Sequence, residues 1–270
     1  MDQGFVVGDQ VSALARLVLA PNAGPMTLDG TNSYVLRAPG SDAVVVVDPG
    51  PSDPAHLAAL AGAGRVELVL VTHHHPDHTE SLGAFHAMTD APVRAIDPAL
   101  CLVGAPLVDG ERIRSADLEI DVVASPGHTA DSVCFSLPGD RLVGSDEGRG
   151  TVLTGDTILG RGTTIIADPD GALGPYLDAL EALRALGTPG PVGVLPGHGP
   201  VLPDLAAICS AYLAHRAERL DQVRAALREL GADAGPGAVT DLVYADTDAS
   251  VRSAAEASVR AQLAYLRSRG

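Results

Sequence analysis

The chain contains no lysine. All 18 basic residues are arginines, set against 34 acidic residues, for a formal net charge of −16. Up to Pro203 there are 10 arginines to 25 acids, and beyond it 8 to 9. A field of that sign repels polyanions at long range, and the basic face of a nucleic-acid binder is missing. Cysteine is scarce as well. Cys101, Cys134 and Cys209 are widely spaced and odd in number, which argues against a disulfide framework and fits a reducing compartment. No run approaches the roughly 18 uninterrupted apolar residues of a membrane span. The first thirty residues carry one positive charge, Arg16, and no cleavage-like site after an apolar run, so no export signal is read and a cytoplasmic location is expected. What is present is 270 residues with 46% hydrophobic content, enough for a sizeable core and consistent with one main domain and a small appendage.

The densest chemistry lies in Thr72-His73-His74-His75-Pro76-Asp77-His78-Thr79. It follows Val66-Glu67-Leu68-Val69-Leu70-Val71, which reads as a buried strand, so the polar cluster falls on the loop at that strand's C-terminal end. In an extended chain His73 and His75 point the same way, while Pro76 blocks continuation and turns Asp77 and His78 toward a second position. One loop thus serves two adjacent cations. A solvated polar loop is the bland alternative, and it does not explain four candidate ligands directly after a buried strand. His74, between two ligands, is expected to turn its ring away from the metals. His56, His86 and His215 have no such neighbourhood and read as ordinary surface or helix residues.

Three further positions repeat one setting, a short apolar run ending in a glycine turn. Val122 to Thr129 offers His128, Val152 to Asp156 offers Asp156, and Val192 to Gly199 offers His198. Alone, each is more simply a turn residue or a satisfied hydrogen-bond donor. Together with the cluster they make a ligand set. Asp48, after the strand-like Val44 to Val47 and before Pro49-Gly50, is the candidate carboxylate for the second N–H of a ligating histidine, or an Asp that starts a turn.

The order His73-x-His75-x-Asp77-His78, then His128, Asp156 and His198, resembles the metallo-β-lactamase superfamily at all seven ligand positions. The resemblance implies one zinc held by His73, His75 and His128, a second held by Asp77, His78 and His198, and Asp156 bridging them, with Asp77 and Asp156 as the catalytic carboxylates. It narrows further. Gly24-Pro25-Met26-Thr27-Leu28-Asp29-Gly30-Thr31-Asn32-Ser33-Tyr34 and Thr154-Gly155-Asp156-Thr157-Ile158-Leu159-Gly160-Arg161-Gly162-Thr163-Thr164 are similar to stretches in the β-lactamase-like protein 2 group, and the likeness covers essentially the whole chain. One departure stands next to the ligands: where relatives commonly have Ser or Thr and a glycine pair, Thr79 is followed by Glu80-Ser81, with glycine only at Gly83. Glu80 faces solvent or accepts a ligand's second N–H.

Histidine and carboxylate donors suit zinc, and equally iron or manganese. A two-metal site supplies hydroxide at neutral pH and stabilises charge on the substrate oxygen, so no nucleophilic side chain is required. Ser-His-Asp and Cys-His arrangements have no independent support here. The expected activity is hydrolysis of a small acyl thioester, ester or lactone by a dinuclear-zinc centre. A single-strand endoribonuclease acting on RNA is what the narrower resemblance implies and the net charge opposes, and Arg141, Arg149 and Arg161, which flank Asp156 in sequence, would have to form its positive patch. A metal-holding interaction protein without turnover is the third alternative. His74 and Arg161 are candidates for substrate contact.

Strand-like runs at Asn32 to Arg37, Ala43 to Asp48, Val66 to Val71, Pro92 to Ile96, Ile120 to Ala124, Ser132 to Leu137, Thr151 to Thr154 and Val192 to Leu195 alternate with candidate helices, including Tyr176 to Leu186 with apolar spacing at Leu177, Leu180 and Leu183. Composition and periodicity give a mixed α/β chain; the resemblance implies a four-layer αββα sandwich over residues 1–203. Residues 204–270 turn helical. Asp204 is a candidate N-cap, Leu220, Val223, Leu227 and Leu230 form one face, Gly231 is a stop, and Val251, Ala255, Val259 and Leu263 form a second stripe. With Val239 to Tyr244 between them, this part resembles a small winged-helix-like appendage; a helical hairpin packed on the core is the simpler alternative.

Overall fold

The computed structural model describes residues 8–145, 148–166, 169–245 and 252–269. Two β-sheets lie face to face between two outer layers of helix, the expected αββα order. The first sheet runs in chain order: β1 (Asp9–Gln10), β2 (Ala15–Leu19), β3 (Asn32–Leu36), β4 (Ala43–Val47), β5 (Arg65–Leu70) and β6 (Val93–Arg94). Its first four strands are antiparallel neighbours, whereas β4, β5 and β6 are parallel. The second sheet has the order β11-β10-β9-β8-β7, built from β7 (Arg112–Ser115), β8 (Leu118–Ala124), β9 (Val133–Leu137), β10 (Thr151–Gly155) and β11 (Gly193–Pro196), with only β10 and β11 parallel.

Burial explains the strand sequences. In β4 the side chains of Ala43, Val45 and Val47 enter the core between the sheets, and Val44 and Val46 face the outer helices. Both faces are covered, so the strand is continuously apolar rather than alternating. Tyr34, Leu36 and Leu70 meet Ile120, Phe135, Leu137, Leu153 and Leu195 across the central layer. Outside the first sheet lie α1 (Pro54–Ala61) and α3 (Leu82–Thr89), which bring Leu57, Leu60, Leu82 and Phe85 onto it. Between them, Pro76 opens a single-turn helix, α2 (Pro76–Thr79). Its fixed φ and missing N–H suit the first helical position, so the proline starts a turn as well as ending the extended chain.

Outside the second sheet lie α4 (Leu173–Leu186), α5 (Leu205–Leu230) and α7 (Arg252–Arg267), with α6 (Pro236–Val243) between the last two. Tyr176, Leu180 and Leu183 of α4 and Cys209, Tyr212 and Leu220 of α5 are buried against Val152 and Val194. The carboxylate of Asp204 caps α5 by accepting from Ala207 N at 3.0 Å, and Gly231 closes it at φ 102°. Val223, Ala226, Val239, Val259 and Leu263 form a second small core among α5, α6 and α7. Leu230, expected on the apolar face, is exposed because it belongs to the last turn, past the reach of α6. Val239 to Tyr244 falls mostly within α6. Val251 lies outside the described residues, and the described residues of this part form helices and no strand.

Both sheets present the C-terminal ends of β4, β5, β8, β10 and β11 at one rim, where open α/β sheets carry their sites. Backbone bonds stitch that rim: Asn32 N donates to Gly197 O at 2.8 Å, and Val133 N to Thr72 O at 2.9 Å. Asn32 Nδ2 adds bonds to the carbonyls of Pro196 and Gly199.

Candidate metal centre

All seven ligand candidates converge at this rim. His73, His75, Asp77 and His78 arrive on the β5–α2 loop and the helix itself; His128, Asp156 and His198 follow β8, β10 and β11. They form two sets, His73, His75, His128 and Asp156 in one, Asp77, His78 and His198 in the other. In the first, His75 Nδ1 lies 3.0 Å from His73 Nε2 and 3.1 Å from His128 Nε2. In the second, His198 Nε2 lies 3.3 Å from His78 Nε2 and 3.1 Å from Asp77 Oδ2. Asp156 touches both, with Oδ2 at 3.7 Å from His128 Nε2 and 3.4 Å from His198 Nε2, and Oδ1 at 3.6 Å from His78 Nε2.

The outward ring nitrogens decide which atoms face inward. His128 Nδ1 donates to Ile165 O at 2.8 Å, and His198 Nδ1 to Gly30 O at 3.1 Å. His78 Nδ1 donates to Asp48 Oδ2 at 2.8 Å. Thr72 Oγ1 spends its proton on Asp48 Oδ2 at 2.6 Å and therefore accepts from His73 Nδ1 at 3.1 Å. With those protons held outside, the Nε2 lone pairs of His73 and His128 point at His75 Nδ1, while the Nε2 atoms of His78 and His198 face each other and the carboxylates. Facing lone pairs repel unless a cation lies between them. At metal–nitrogen distances of about 2.0–2.1 Å, tetrahedral neighbours sit about 3.3 Å apart, close to the spacings here. Asp156 Oδ1 is buried without a hydrogen-bond partner among the described residues, an acceptor left for such a cation. The donor set fits divalent metal.

Electrostatics follow the same division. Burial, then the neighbouring His78, holds the His73 imidazole well below its ordinary value. Burial and His128 depress His75 to about 4. For His198, burial would lower the value, but hydrogen bonds to Asp156 and Asp77 outweigh it and push it up to about 9. His78 is likewise raised, the Asp48 carboxylate overcoming the cost of burial. Asp77 and Asp156 are held well below the usual carboxylate range; burial opposes this, but His198 and His78 prevail.

Two glycines admit the ligands. Gly155 has φ 47°, and a Cβ there would stand 2.6 Å from Thr72 Oγ1; one on Gly197 would stand 2.5 Å from Asp156 Oδ1. Asp48 itself adopts φ 51°, a left-handed conformation that Asp tolerates better than most residues.

Similarity to known proteins agrees with this geometry. Residues 26–198 match the family model of the metallo-beta-lactamase superfamily. The chain belongs to that superfamily. Among metallo-beta-lactamase relatives, the chain is 29% identical over 273 residues to the beta-lactamase-like protein 2 homolog of Caenorhabditis elegans, covering 96% of this chain and 85% of that one. It is 31% identical over 231 residues to the atrochrysone carboxyl ACP thioesterase AgnL7 of Paecilomyces divaricatus, covering 84% and 68%. Its fold superposes on a metallo-beta-lactamase family protein of Thermus thermophilus with TM-score 0.72, covering 95% and 94% at 22% identity.

The remaining candidates divide. Asp48 does reach His78, and it also accepts from Thr72 N at 2.8 Å. His74 joins neither set: its Nδ1 is bonded to Asp131 Oδ1 at 2.8 Å and its Nε2 lies 3.5 Å from Asp170, with which it and His75 form a third, more exposed cluster. Arg161 stands on the rim paired with Asp29. Arg141 and Arg149 do not join it: they flank the N-terminal end of β10, a strand length from Asp156, so no three-arginine patch forms. Glu80 accepts from Ser52 N at 3.0 Å. His56 is not a surface residue. It is buried in α1, where its Nε2 lies 2.9 Å from Ser33 Oγ and burial lowers its pKa. Thr72 was missed, although it immediately precedes the cluster. The Gly30 and Ile165 carbonyls were missed because a backbone atom leaves no signature in sequence.

Proposed function

We propose that this superfamily hydrolase is a dinuclear-metal thioesterase acting on a small acyl substrate, with zinc as the expected ion and iron or manganese compatible with the same donors. In this reading His73, His75 and His128 hold one ion, Asp77, His78 and His198 the other, and Asp156 bridges. The observation that carries it is the convergence of both donor sets on Asp156. Residues 1–203 form the catalytic part, and 204–270 the helical appendage.

Metals bound there supply hydroxide at neutral pH and draw charge from the acyl oxygen. The chain's own part is to hold the donors in the right tautomers and to keep the site clear of competing side chains. Addition of hydroxide to the acyl carbon would form the new C–O bond, and collapse of the adduct would break the C–S bond, the sulfur departing as a thiolate and the acyl group as a carboxylic acid. Since a thiol has a pKa near 8.5, it leaves without help from an acid. An alkoxide or amide would need one. The carboxyl-ACP thioesterase activity named for one relative supports this choice. Charge supports it also: Arg161 is neutralised by Asp29, and the net charge of −16 disfavours a polyanion.

The test is turnover of the metal-loaded protein on acyl thioesters and lactones beside a single-stranded oligoribonucleotide, with Asp156→Ala as control. Metal-dependent thioester cleavage, lost in the variant, is expected. RNA cleavage alone would overturn the substrate class. No metal-dependent turnover in either panel would overturn the hydrolase assignment.

A further inference from the structure

One side chain of α5 is a buried cation with no part in the chemistry above. Arg216 is 5% exposed. Its Nη2 donates to Thr164 O at 2.5 Å, and its guanidinium carbon lies 5.2 Å from the centre of the Tyr176 ring. Its Nε finds no partner among the described residues. Burying a guanidinium is costly unless its contacts compensate, so the backbone carbonyl and the ring face matter. One turn earlier on α5, Tyr212 Oη accepts from Leu159 N at 3.1 Å and donates to Gly162 O at 3.0 Å. From α4, Tyr176 Oη donates to Thr157 O at 2.8 Å. Three side chains of the outer helical layer therefore grip the segment that leaves Asp156.

Thr164 joins that grip to the site. Its carbonyl takes Arg216, and its Oγ1 lies 3.1 Å from His128 Nδ1. The next carbonyl, Ile165 O, accepts the His128 Nδ1 proton and so turns Nε2 toward His75. The ring contacts of the other set, Asp48 and Gly30 O, come from loops of the first sheet, although Gly160 N, in the segment that Tyr212 holds, donates to His198 O at 2.8 Å.

We infer that Arg216 is a positioning residue for His128, and that through it the appendage braces the three-histidine half of the centre more than the other half. This rests on the metal-site reading above. A residue that merely stabilised the fold would not distinguish the halves.

The experiment compares wild type, Arg216→Met, Arg216→Gln, Arg216→Lys and Tyr212→Phe by zinc titration against a competing chelator. Imidazole nitrogen NMR of the metal-free protein then reports the His128 tautomer. Arg216→Met is expected to weaken one binding step about 10-fold, the low end for residues behind a ligand, and to leave the other within about twofold. Its His128 should change from the single Nδ1–H form to a mixture. Arg216→Lys, which keeps a donor for Thr164 O, should recover most of the loss. Tyr212→Phe, which loosens the segment that also bonds His198, should favour neither step, and Arg216→Gln carries the test if Arg216→Met does not fold. In the Arg216 variants, equal weakening of both steps, or a lower melting temperature with unchanged affinity and tautomer, would overturn the inference. A wild-type chain that binds no metal would defeat the metal-site reading instead, and the tautomer comparison would still decide whether Arg216 positions His128.

Discussion

Asp48 and His78 share a buried hydrogen bond of 2.8 Å, and the same carboxylate accepts from the backbone and hydroxyl of Thr72. One side chain thereby orients a ligand of the second set directly and His73 of the first through Thr72. Asp48→Asn is expected to lower metal affinity about 10- to 100-fold, with the larger loss in the step assigned to His78. Chelator competition measures it. Wild-type affinity in the variant would remove Asp48 from this role.

Metal binding should displace protons, because His198 titrates at about 9 and His78 is raised as well. Affinity is expected to rise between pH 7 and pH 9 as the His198 proton is lost. In the metal-free chain the sign is opposite. A histidine raised from about 6.5 contributes stability that is complete below that pH and gone once pH passes 9. Calorimetric titration in buffers of different ionisation enthalpy, with melting curves of the chelated protein across that window, checks both; pH-independent affinity would contradict them.

Gly197→Ala probes the closeness of the second sheet to its ligands. The added methyl would stand 2.5 Å from Asp156 Oδ1 and 2.9 Å from His78 Cε1, so the carboxylate has to move. A shift of that size at a reacting centre is worth about 100-fold in rate. Steady-state turnover on a thioester substrate is expected to fall by that order, with little change in melting temperature.

Asp140 is a control remote from the chemistry. Its buried carboxylate accepts from Ser12 Oγ at 2.5 Å, Leu14 N at 2.9 Å and Thr151 Oγ1 at 2.7 Å, joining the two sheets away from the ligand rim. Asp140→Ala strands buried donors and should cost about 3 kcal/mol in denaturant unfolding. Metal affinity should be unchanged at temperatures where the variant stays folded.

The candidate donors that converge at the rim were legible because the cluster puts four of them within six residues and the other three each follow a strand. Eight strands were legible: β3, β4, β9, β10 and β11 are buried along their whole length, and β5, β6 and β8 keep buried aliphatic residues despite charged ones. The two residues of β1 were not, and neither were β2 and β7. Arg16 and Arg112 interrupt them at positions where the sheet meets solvent, and the four residues of β7, Arg112 to Ser115, show one buried aliphatic residue. His56 is a helix residue, one of the two readings given for it, but its burial left no local cue; its partner Ser33 comes from a strand 23 positions away. The part played by Arg216 was invisible for the same reason, since it acts through a carbonyl 52 residues distant.

Each donor set draws on both sheets: His73 and His75 come from the first and His128 from the second, while Asp77 and His78 meet His198 across the same seam. Neither sheet alone owns a complete coordination sphere. A nascent chain has emerged past residue 198 before its second set exists, and the two sheets must already be docked for either to close. If the proposed centre holds metal, uptake comes late in maturation, and a loaded centre certifies that both halves of the molecule have folded and found each other.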